Sequence, residues 1–475
     1  MTYPLDLPAP VPLMLRRLLQ HRRPLLLQGP MGPFFARLAA WLEQQGAKPY
    51  KVNFNGGDQW FYRRARTYAY RGRHEDLDAW LASFVVLHRI DALVLFGQHR
   101  PVHELARAVA ARLSLPVFVF EEGYLRPDYI TLEEGGVNGL SSVPKSAEAL
   151  RFMPDEPPAS RPQPVAASFA RMAWYATCYS VAMWVARPVF AHHVYHRPLH
   201  PLTQALAWLR GGWRKLWHGW TQRDVWARLC AQERHKRYFV LPLQVHNDSQ
   251  MQHYSPYPSV EAVIDEVMAS FARHAPADEW LVIKHHPMDR AYRCYARHIA
   301  QRQRQWGLQD RVLYVHDVHL PTLLRHARGV VTVNSTVGLQ ALYHKVPVLT
   351  LGACFYAIDG LVHAGPLARF WREPGRVDEA LYQRLRHYLL RTNQINGSFY
   401  GRLPGLPQGP VAVPDTEEAT QWPSVISQPV PLEAAEGGGA PGWRALPMQV
   451  VASPQIGATV AEAPARASAR ASARQ

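Results

Sequence analysis

Arg237-Tyr-Phe-Val-Leu-Pro-Leu-Gln-Val-His-Asn-Asp-Ser-Gln250 begins as an apolar run and stops abruptly at a cluster of polar groups. Tyr238 to Leu243 is short, aromatic and β-branched, the make-up of a buried strand. Its carboxyl end presents Gln244, His246, Asn247 and Asp248. In an open α/β sheet, ligands collect just beyond the carboxyl ends of strands, so a carboxylate here is placed for chemistry. The same carboxylate can instead cap a helix starting near Tyr257 or close a turn. The stretch alone does not separate these readings.

Downstream the pattern repeats. Val260 to His274, Tyr292 to Trp306, Leu320 to Ala327 and Thr336 to His344 have helical spacing, and Trp280 to Ile283, Val312 to Val315, Val330 to Val333 and Val346 to Leu351 read as strands. Upstream, strands at Pro24 to Gln28, Lys48 to Phe54, Ala92 to Phe96 and Pro116 to Phe120 alternate with helices at Phe34 to Gln45, Leu77 to Arg89 and Val102 to Leu113. Such alternation predicts parallel sheets flanked by helices. The expected fold is therefore α/β, with two Rossmann-like domains at 1–150 and 237–402 in a GT-B-like arrangement, an analogy of fold that carries function weakly. Residues 151–236 hold a proline-rich linker at 153–165 and a helical segment crowded with tryptophan and base. Residues 403–475 are low in complexity and are expected to be a disordered tail.

The chain has 475 residues, enough for two domains with appendages. Its 53 Lys and Arg against 37 Asp and Glu give a net charge of +16, which favours a polyanionic partner: nucleic acid, anionic lipid or a phosphorylated substrate. Cys178, Cys230, Cys294 and Cys354 are scattered without metal spacing, as in a reducing cytoplasm. The N-terminus lacks a basic stretch followed by an apolar core, so no secretory signal is expected. The most apolar stretch, Met172 to Ala186, has only 15 residues, short of the roughly 20 needed to span a bilayer.

In the central segment, Trp208, Trp213, Trp217, Trp220 and Trp226 interleave with Arg210, Arg214, Lys215 and Arg223. Trp213, Trp217 and Trp220 fall on one helical face. An interfacial helix on anionic lipid has this composition, because indole favours the headgroup boundary and Lys and Arg meet phosphates. An aromatic stripe packed on the two domains is the alternative, and stacking of single-stranded nucleic acid is the weakest of the three. Histidines crowd at His192, His193, His196 and His200, but Pro198 spoils the helical pair His196/His200, so no zinc site is expected.

Three constellations in the second domain fit one ligand. Lys284-His285-His286-Pro287 places a cation and two imidazoles at a strand end, where donors suit a departing phosphate. In Asn334-Ser335-Thr336-Val-Gly338, Ser335 or Thr336 can cap the following helix and leave its N–H groups toward an anion. In the first domain, the turns at Gln28-Gly29-Pro-Met-Gly32, Asn53-Phe-Asn-Gly-Gly-Asp58 and Glu121-Glu122-Gly-Tyr-Leu-Arg126 lie on the edge where binding loops gather.

Together, Gln244-x-x-x-Asp248, His286-Pro287 after a hydrophobic strand, Asn334-Ser-Thr-Val-Gly338, Gln28-Gly-Pro-Met-Gly-Pro-Phe-Phe35 and Glu121-Glu-Gly-Tyr-Leu-Arg-Pro-Asp-Tyr129 resemble the capsular polysaccharide synthesis proteins that act as β-Kdo transferases. The resemblance spans about residues 24–400. It implies an enzyme that takes Kdo from CMP-Kdo and builds a linker on a (lyso)phosphatidylglycerol acceptor. Such a protein is cytoplasmic, peripheral on the inner face of the Gram-negative inner membrane, and meets capsule synthesis and export proteins. One module fits, so the likeness is to the branch that starts the linker. No metal or cofactor beyond the donor is implied, and nucleic acid is not a partner. Asp248 matches the aspartate of the motif implicated in catalysis, as nucleophile or as base, with Gln244 beside it; His286 and Pro287 match a nucleotide-phosphate motif. Lys284, Asn334, Ser335, Thr336, Gly29 and Gly32 join the binding set by position, and Glu121 or Glu122 is the candidate acid/base, with Asp58 a further group. A capsule scaffold without catalysis, or another nucleotide-sugar enzyme such as an epimerase, fits the same outline.

Overall fold

The computed structural model describes residues 11–153, 161–192, 200–230 and 235–411. The apolar runs become short strands with few exposed side chains. In the first lobe these are β1 (Pro24–Leu26), β2 (Tyr50–Asn53), β3 (Thr67–Ala69), β4 (Ala92–Phe96), β5 (Val117–Glu122) and β6 (Tyr129–Glu134). In the second they are β7 (Tyr238–Pro242), β8 (Trp280–Lys284), β9 (Val312–Val315), β10 (Gly329–Thr332) and β11 (Val348–Thr350), and β12 (Gln394–Asn396) follows.

The first sheet has the order β12-β6-β5-β4-β1-β2-β3 and the second β11-β10-β7-β8-β9. Strands β1 to β5 are parallel, as are all of β7 to β11. Each parallel set winds outward from its first strand and then reverses, between β1 and β4 in one lobe and between β7 and β10 in the other. Where winding reverses, the connecting loops part and leave a crevice at the strands' carboxyl ends. The expected fold class, two Rossmann-like α/β lobes in a GT-B-like arrangement, is what the chain adopts.

The domain boundaries differ from expectation. Residues 394–396, assigned to the second domain, form β12, which pairs antiparallel with β6 in the first sheet through Gln394 opposite Thr131 and Ile395 opposite Ile130. Residues 403–411, expected to start a tail, are tied to the helix Phe34–Gln44 and its end: Trp41 Nε1 donates to the Pro407 carbonyl at 2.9 Å, and Gln45 Nε2 to that of Gly409 at 2.7 Å. The rest of that tail, residues 154–160 of the linker, and His193 and His196 of the histidine run lie outside the described residues.

The central segment is helical as expected, in helices Phe169–Val185, Pro201–Thr221 and Arg223–Cys230. The first packs on the helix Gly56–Phe61 so closely that a Cβ on Gly56 would stand 2.2 Å from the Ala182 carbonyl. The second turns Ala207, Trp208, Arg214 and His218 inward and leaves Leu202, Leu206, Leu209, Trp213, Leu216, Trp217 and Trp220 exposed. The aromatic stripe is not packed on the lobes. Among the described residues, no helix is long and apolar enough to cross a membrane.

Candidate functional site

Asp248 is a helix cap with one carboxylate oxygen turned to a neighbouring side chain. Its Oδ1 accepts from the Gln250 backbone N–H at 2.9 Å, capping the helix Ser249–Tyr254, while its Oδ2 faces Gln244 Nε2 at 3.2 Å. The helix near Tyr257 is capped by Ser259 instead. Gln244 Nε2 also donates to Asn334 Oδ1 at 3.0 Å, and Asn334 Nδ2 donates to the Gln250 carbonyl at 2.9 Å. These bonds link the loop after β7 to the loop after β10, across the point where winding reverses. Asp248 thus stands half-buried at the crevice that the topology predicts.

Beside it, the end of β8 collects cationic and imidazole groups. Lys284 is buried, and its Nζ makes one long contact, 3.5 Å to the His316 carbonyl. Burial, then Arg290, lowers its ammonium to about 8. His286 caps the short turn Pro287–Asp289, its Nδ1 accepting from the Met288 N–H at 3.2 Å. Burial, with Arg126 and Lys284 adding repulsion, lowers it to about 4, so the ring is neutral and carries its proton on Nε2. Neighbouring Arg290 Nε, His285 Nε2 and His316 Nδ1 are buried with no hydrogen-bond partner. A buried cation and unpaired donors of this kind suit an anion.

Ser335, not Thr336, meets the next helix, its Oγ accepting from the Val337 N–H at 3.2 Å, whereas the Thr336 side chain makes no cap bond. Gly338 lets that helix approach Tyr356, whose hydroxyl a Cβ would meet at 2.3 Å.

The facing lobe supplies Glu121 and Glu122, which lie within β5 because the expected turn is a hairpin into β6. Glu121 Oε1 accepts from the Glu122 N–H at 3.0 Å. Burial foremost, with Glu122 and Asp248 adding repulsion, pushes Glu121 up to about 7, and burial also raises Glu122. Arg126 of the same hairpin acts electrostatically on both glutamates and on His286. Glu121 and Asp248, and likewise Arg126 and His286, come from opposite lobes and lie within electrostatic reach of each other.

Tyr254, at the far end of the helix capped by Asp248, fixes this arrangement. Its hydroxyl accepts from Gln98 Nε2 at 2.7 Å and lies 2.8 Å from His99 Nε2, both just after β4. His99 stacks on His253 at 3.8 Å, with Glu104 Oε1 3.4 Å from its Nδ1. Sequence reasoning missed these residues, and nothing local to either stretch marks them as partners.

Three first-lobe predictions resolve as packing. Asp58 Oδ1 accepts from the Tyr179 hydroxyl at 2.8 Å and Oδ2 from the Phe54 N–H at 3.1 Å, so its buried carboxylate anchors the helix Phe169–Val185. Gly32, at φ +137°, makes room for Tyr175 of that helix, and Gly29 makes room for Phe35.

Fold and site define a two-lobed α/β protein of GT-B-like architecture, with carboxylates from both lobes and a cluster of buried lysine and histidine side chains at the strand ends. A family model described as capsule polysaccharide biosynthesis protein matches residues 91–400. The chain is 41% identical over 383 residues to the capsule polysaccharide export protein KpsS of Escherichia coli, covering 81% of this chain and 98% of that protein. It is 38% identical over 387 residues to the capsule polysaccharide modification protein LipB of Neisseria meningitidis, covering 80% and 92%. A solved structure, Thermosulfurimonas dismutans KpsC, a beta Kdo 2,7 transferase, aligns over 76% of this chain and 98% of its own at 15% identity and a TM-score of 0.34. The chain belongs to the capsule polysaccharide biosynthesis protein family.

Proposed function

We propose that this protein is a retaining β-Kdo transferase that moves Kdo from CMP-Kdo to a (lyso)phosphatidylglycerol acceptor, starting a capsule linker. The observation that supports the reading is Asp248 at the carboxyl end of β7, bonded to Gln244, at the same sheet edge as His286 and the buried Lys284 at the end of β8. Asp248 attacks the anomeric carbon as its bond to the phosphate oxygen breaks. The acceptor oxygen then displaces Asp248 while Glu121 takes the hydroxyl proton. Two inversions retain configuration. Lys284 and the Nε2–H of His286 receive the charge that develops on the leaving phosphate. In this scheme Lys284 and His286 take the place that a metal ion would have beside the leaving phosphate, and no other cofactor takes part.

The exposed stripe from Leu202 to Trp220 supports an acceptor held in a membrane surface on the cytoplasmic side, with capsule synthesis and export proteins as neighbours. A scaffold for capsule synthesis or export would use the same stripe, but it gives no reason to bury Lys284 without a close partner. The test is mass spectrometry of the product formed from CMP-Kdo and a fluorescent lyso-phosphatidylglycerol. Addition of one Kdo, abolished in Asp248→Ala, is expected. No sugar added by the unmodified protein rejects the reading, and full transfer by Asp248→Ala rejects the residue assignment.

A further inference from the structure

One buried acid in the second lobe has no part in the scheme above. Asp289 closes the turn Pro287–Asp289 and is fully shielded from solvent. Its Oδ1 accepts from His246 Nδ1 at 2.5 Å, and its Oδ2 accepts from the Tyr295 hydroxyl at 3.1 Å and the His246 backbone N–H at 3.3 Å. A carboxylate on Nδ1–H fixes the tautomer, leaves Nε2 as the working nitrogen and balances an imidazolium when one forms. His246 lies two residues before Asp248, with its side chain 27% exposed.

The same turn holds two imidazoles by opposite devices. At its start His286 uses Nδ1 as an acceptor, and at its end Asp289 makes His246 Nδ1 a donor. Since burial beside Arg126 and Lys284 holds His286 at about 4, that ring offers a hydrogen bond near neutral pH but no surplus proton. Of the two imidazoles, His246 is the one whose Nδ1–H is held by a buried carboxylate.

We propose that His246, oriented by Asp289, is the proton donor to the departing nucleotide phosphate. The proposal rests on the donor reading above. As the Asp248 carboxylate bonds to the anomeric carbon, the bond from that carbon to the phosphate oxygen breaks and its electron pair stays on oxygen. The proton passes from Nε2 of the His246 imidazolium to the phosphate, leaving a neutral ring whose remaining Nδ1–H stays on Asp289, and a proton from solvent restores the imidazolium. Glu121, in the facing lobe, then serves the acceptor hydroxyl, so the two proton transfers are divided between lobes. The His246 ring is bonded to Asp289, which also holds the Tyr295 hydroxyl, and the Tyr292 ring centroid is 6.1 Å away. The Tyr292 hydroxyl in turn donates to Gln204 Oε1 of the helix Pro201–Thr221 at 3.1 Å.

The experiment measures nucleotide release from CMP-Kdo without acceptor, and Kdo transfer with acceptor, in the full chain and in His246→Gln, His246→Ala, Asp289→Asn and Glu121→Gln. Loss of a general acid gives about a 10²-fold slower release in His246→Gln, partly restored in His246→Ala by added imidazole. Asp289→Asn slows release in the same direction, with thermal melting reporting whether it folds, and Glu121→Gln loses more transfer than release. Release by His246→Gln at the unmodified rate, or failure of imidazole to restore any of it in His246→Ala, overturns the assignment. Absence of release by the unmodified protein overturns the donor reading instead, a result that no comparison among variants can mimic.

Discussion

Glu121 is held at about 7 by burial first and by Glu122 and Asp248 second, so near neutral pH it can both accept and return a proton. In the transfer proposed above Glu121 is the base for the acceptor hydroxyl and acts ionised, so Kdo transfer should rise as pH passes upward through about 7. Glu121→Gln should flatten that rise and slow transfer roughly 10²- to 10⁴-fold, as read from initial rates across pH. A rise that survives in Glu121→Gln would assign it to another group. Glu133 offers the matching test on stability. It is fully buried in β6, accepts from Ser141 Oγ at 2.7 Å and the Ser142 N–H at 3.1 Å, and is pushed up to about 7, with desolvation outweighing these bonds. Between the ordinary glutamate value of 4.5 and about 7, the folded chain holds a proton that the unfolded chain has released. Its stabilising share is therefore complete below about 4.5 and is lost as pH rises through about 7. Glu133→Gln should flatten the fall of Tm over that window, and an unchanged slope would show that the carboxylate is ionised throughout.

The helix Pro201–Thr221 shows what one element adds. Leu202, Leu206, Leu209, Trp213, Leu216, Trp217 and Trp220 follow helical spacing within a stripe roughly 100° wide, each about half exposed or more. Arg210 is exposed beside it and Lys215 is exposed on the far side of the helix, but Arg214 is not a lipid contact: its Nη1 donates to the Arg290 carbonyl at 2.8 Å. Charge reversal at Arg210 should weaken binding to phosphatidylglycerol vesicles more than charge reversal at Lys215, and both should leave the fold intact. Trp213→Ala and Trp217→Ala should each weaken that binding roughly tenfold, since about 1.5 kcal/mol of apolar transfer is lost per indole. Vesicle flotation reads both, and unchanged partition would move the stripe's partner from lipid to protein. The composition and spacing of this helix were legible in the sequence; which face would remain open was not, because that depends on lobes folded elsewhere. The same contrast runs through the sheets. Strands β7, β8 and β10 are continuous apolar runs ending in Gln244, Lys284 and Asn334, so the second-lobe site could be read residue by residue. Strands β3 and β12, of three residues each, and the hairpin strand β6 carry no such signal. The pairing of β12 with β6 joins segments far apart in sequence, and local periodicity contains no record of it. Asp58, Gly29 and Gly32 looked like binding-loop residues for a related reason: tight turns at strand ends serve helix packing and ligands alike.

At the scale of the whole molecule, both crevices are set by winding reversals, and the helix Ser249–Tyr254 joins them. Asp248 caps its first turn at the second-lobe reversal, and Tyr254 at its other end is bonded to Gln98 and His99 just after β4, at the reversal of the first lobe. Six residues therefore tie the Asp248 strand end of one lobe to the β4 strand end of the other. A further contact, Tyr124 stacked on Phe355 at 4.1 Å, also joins the lobes. Removing the Tyr254 hydroxyl should consequently loosen the register of the helix while the lobes stay joined. Tyr254→Phe loses bonds worth about 1–2 kcal/mol, a small change in melting, but misplacement of a reacting group by about 1 Å lowers turnover by up to 10²-fold. Gly139→Ala should act similarly from the other side, since its Cβ would stand 2.2 Å from the Tyr254 ring. In both variants kcat for Kdo transfer should fall while affinity for CMP, measured by calorimetry, stays close to that of the unmodified protein. If CMP affinity falls in step with kcat, Tyr254 supports the second lobe itself rather than its alignment with the first.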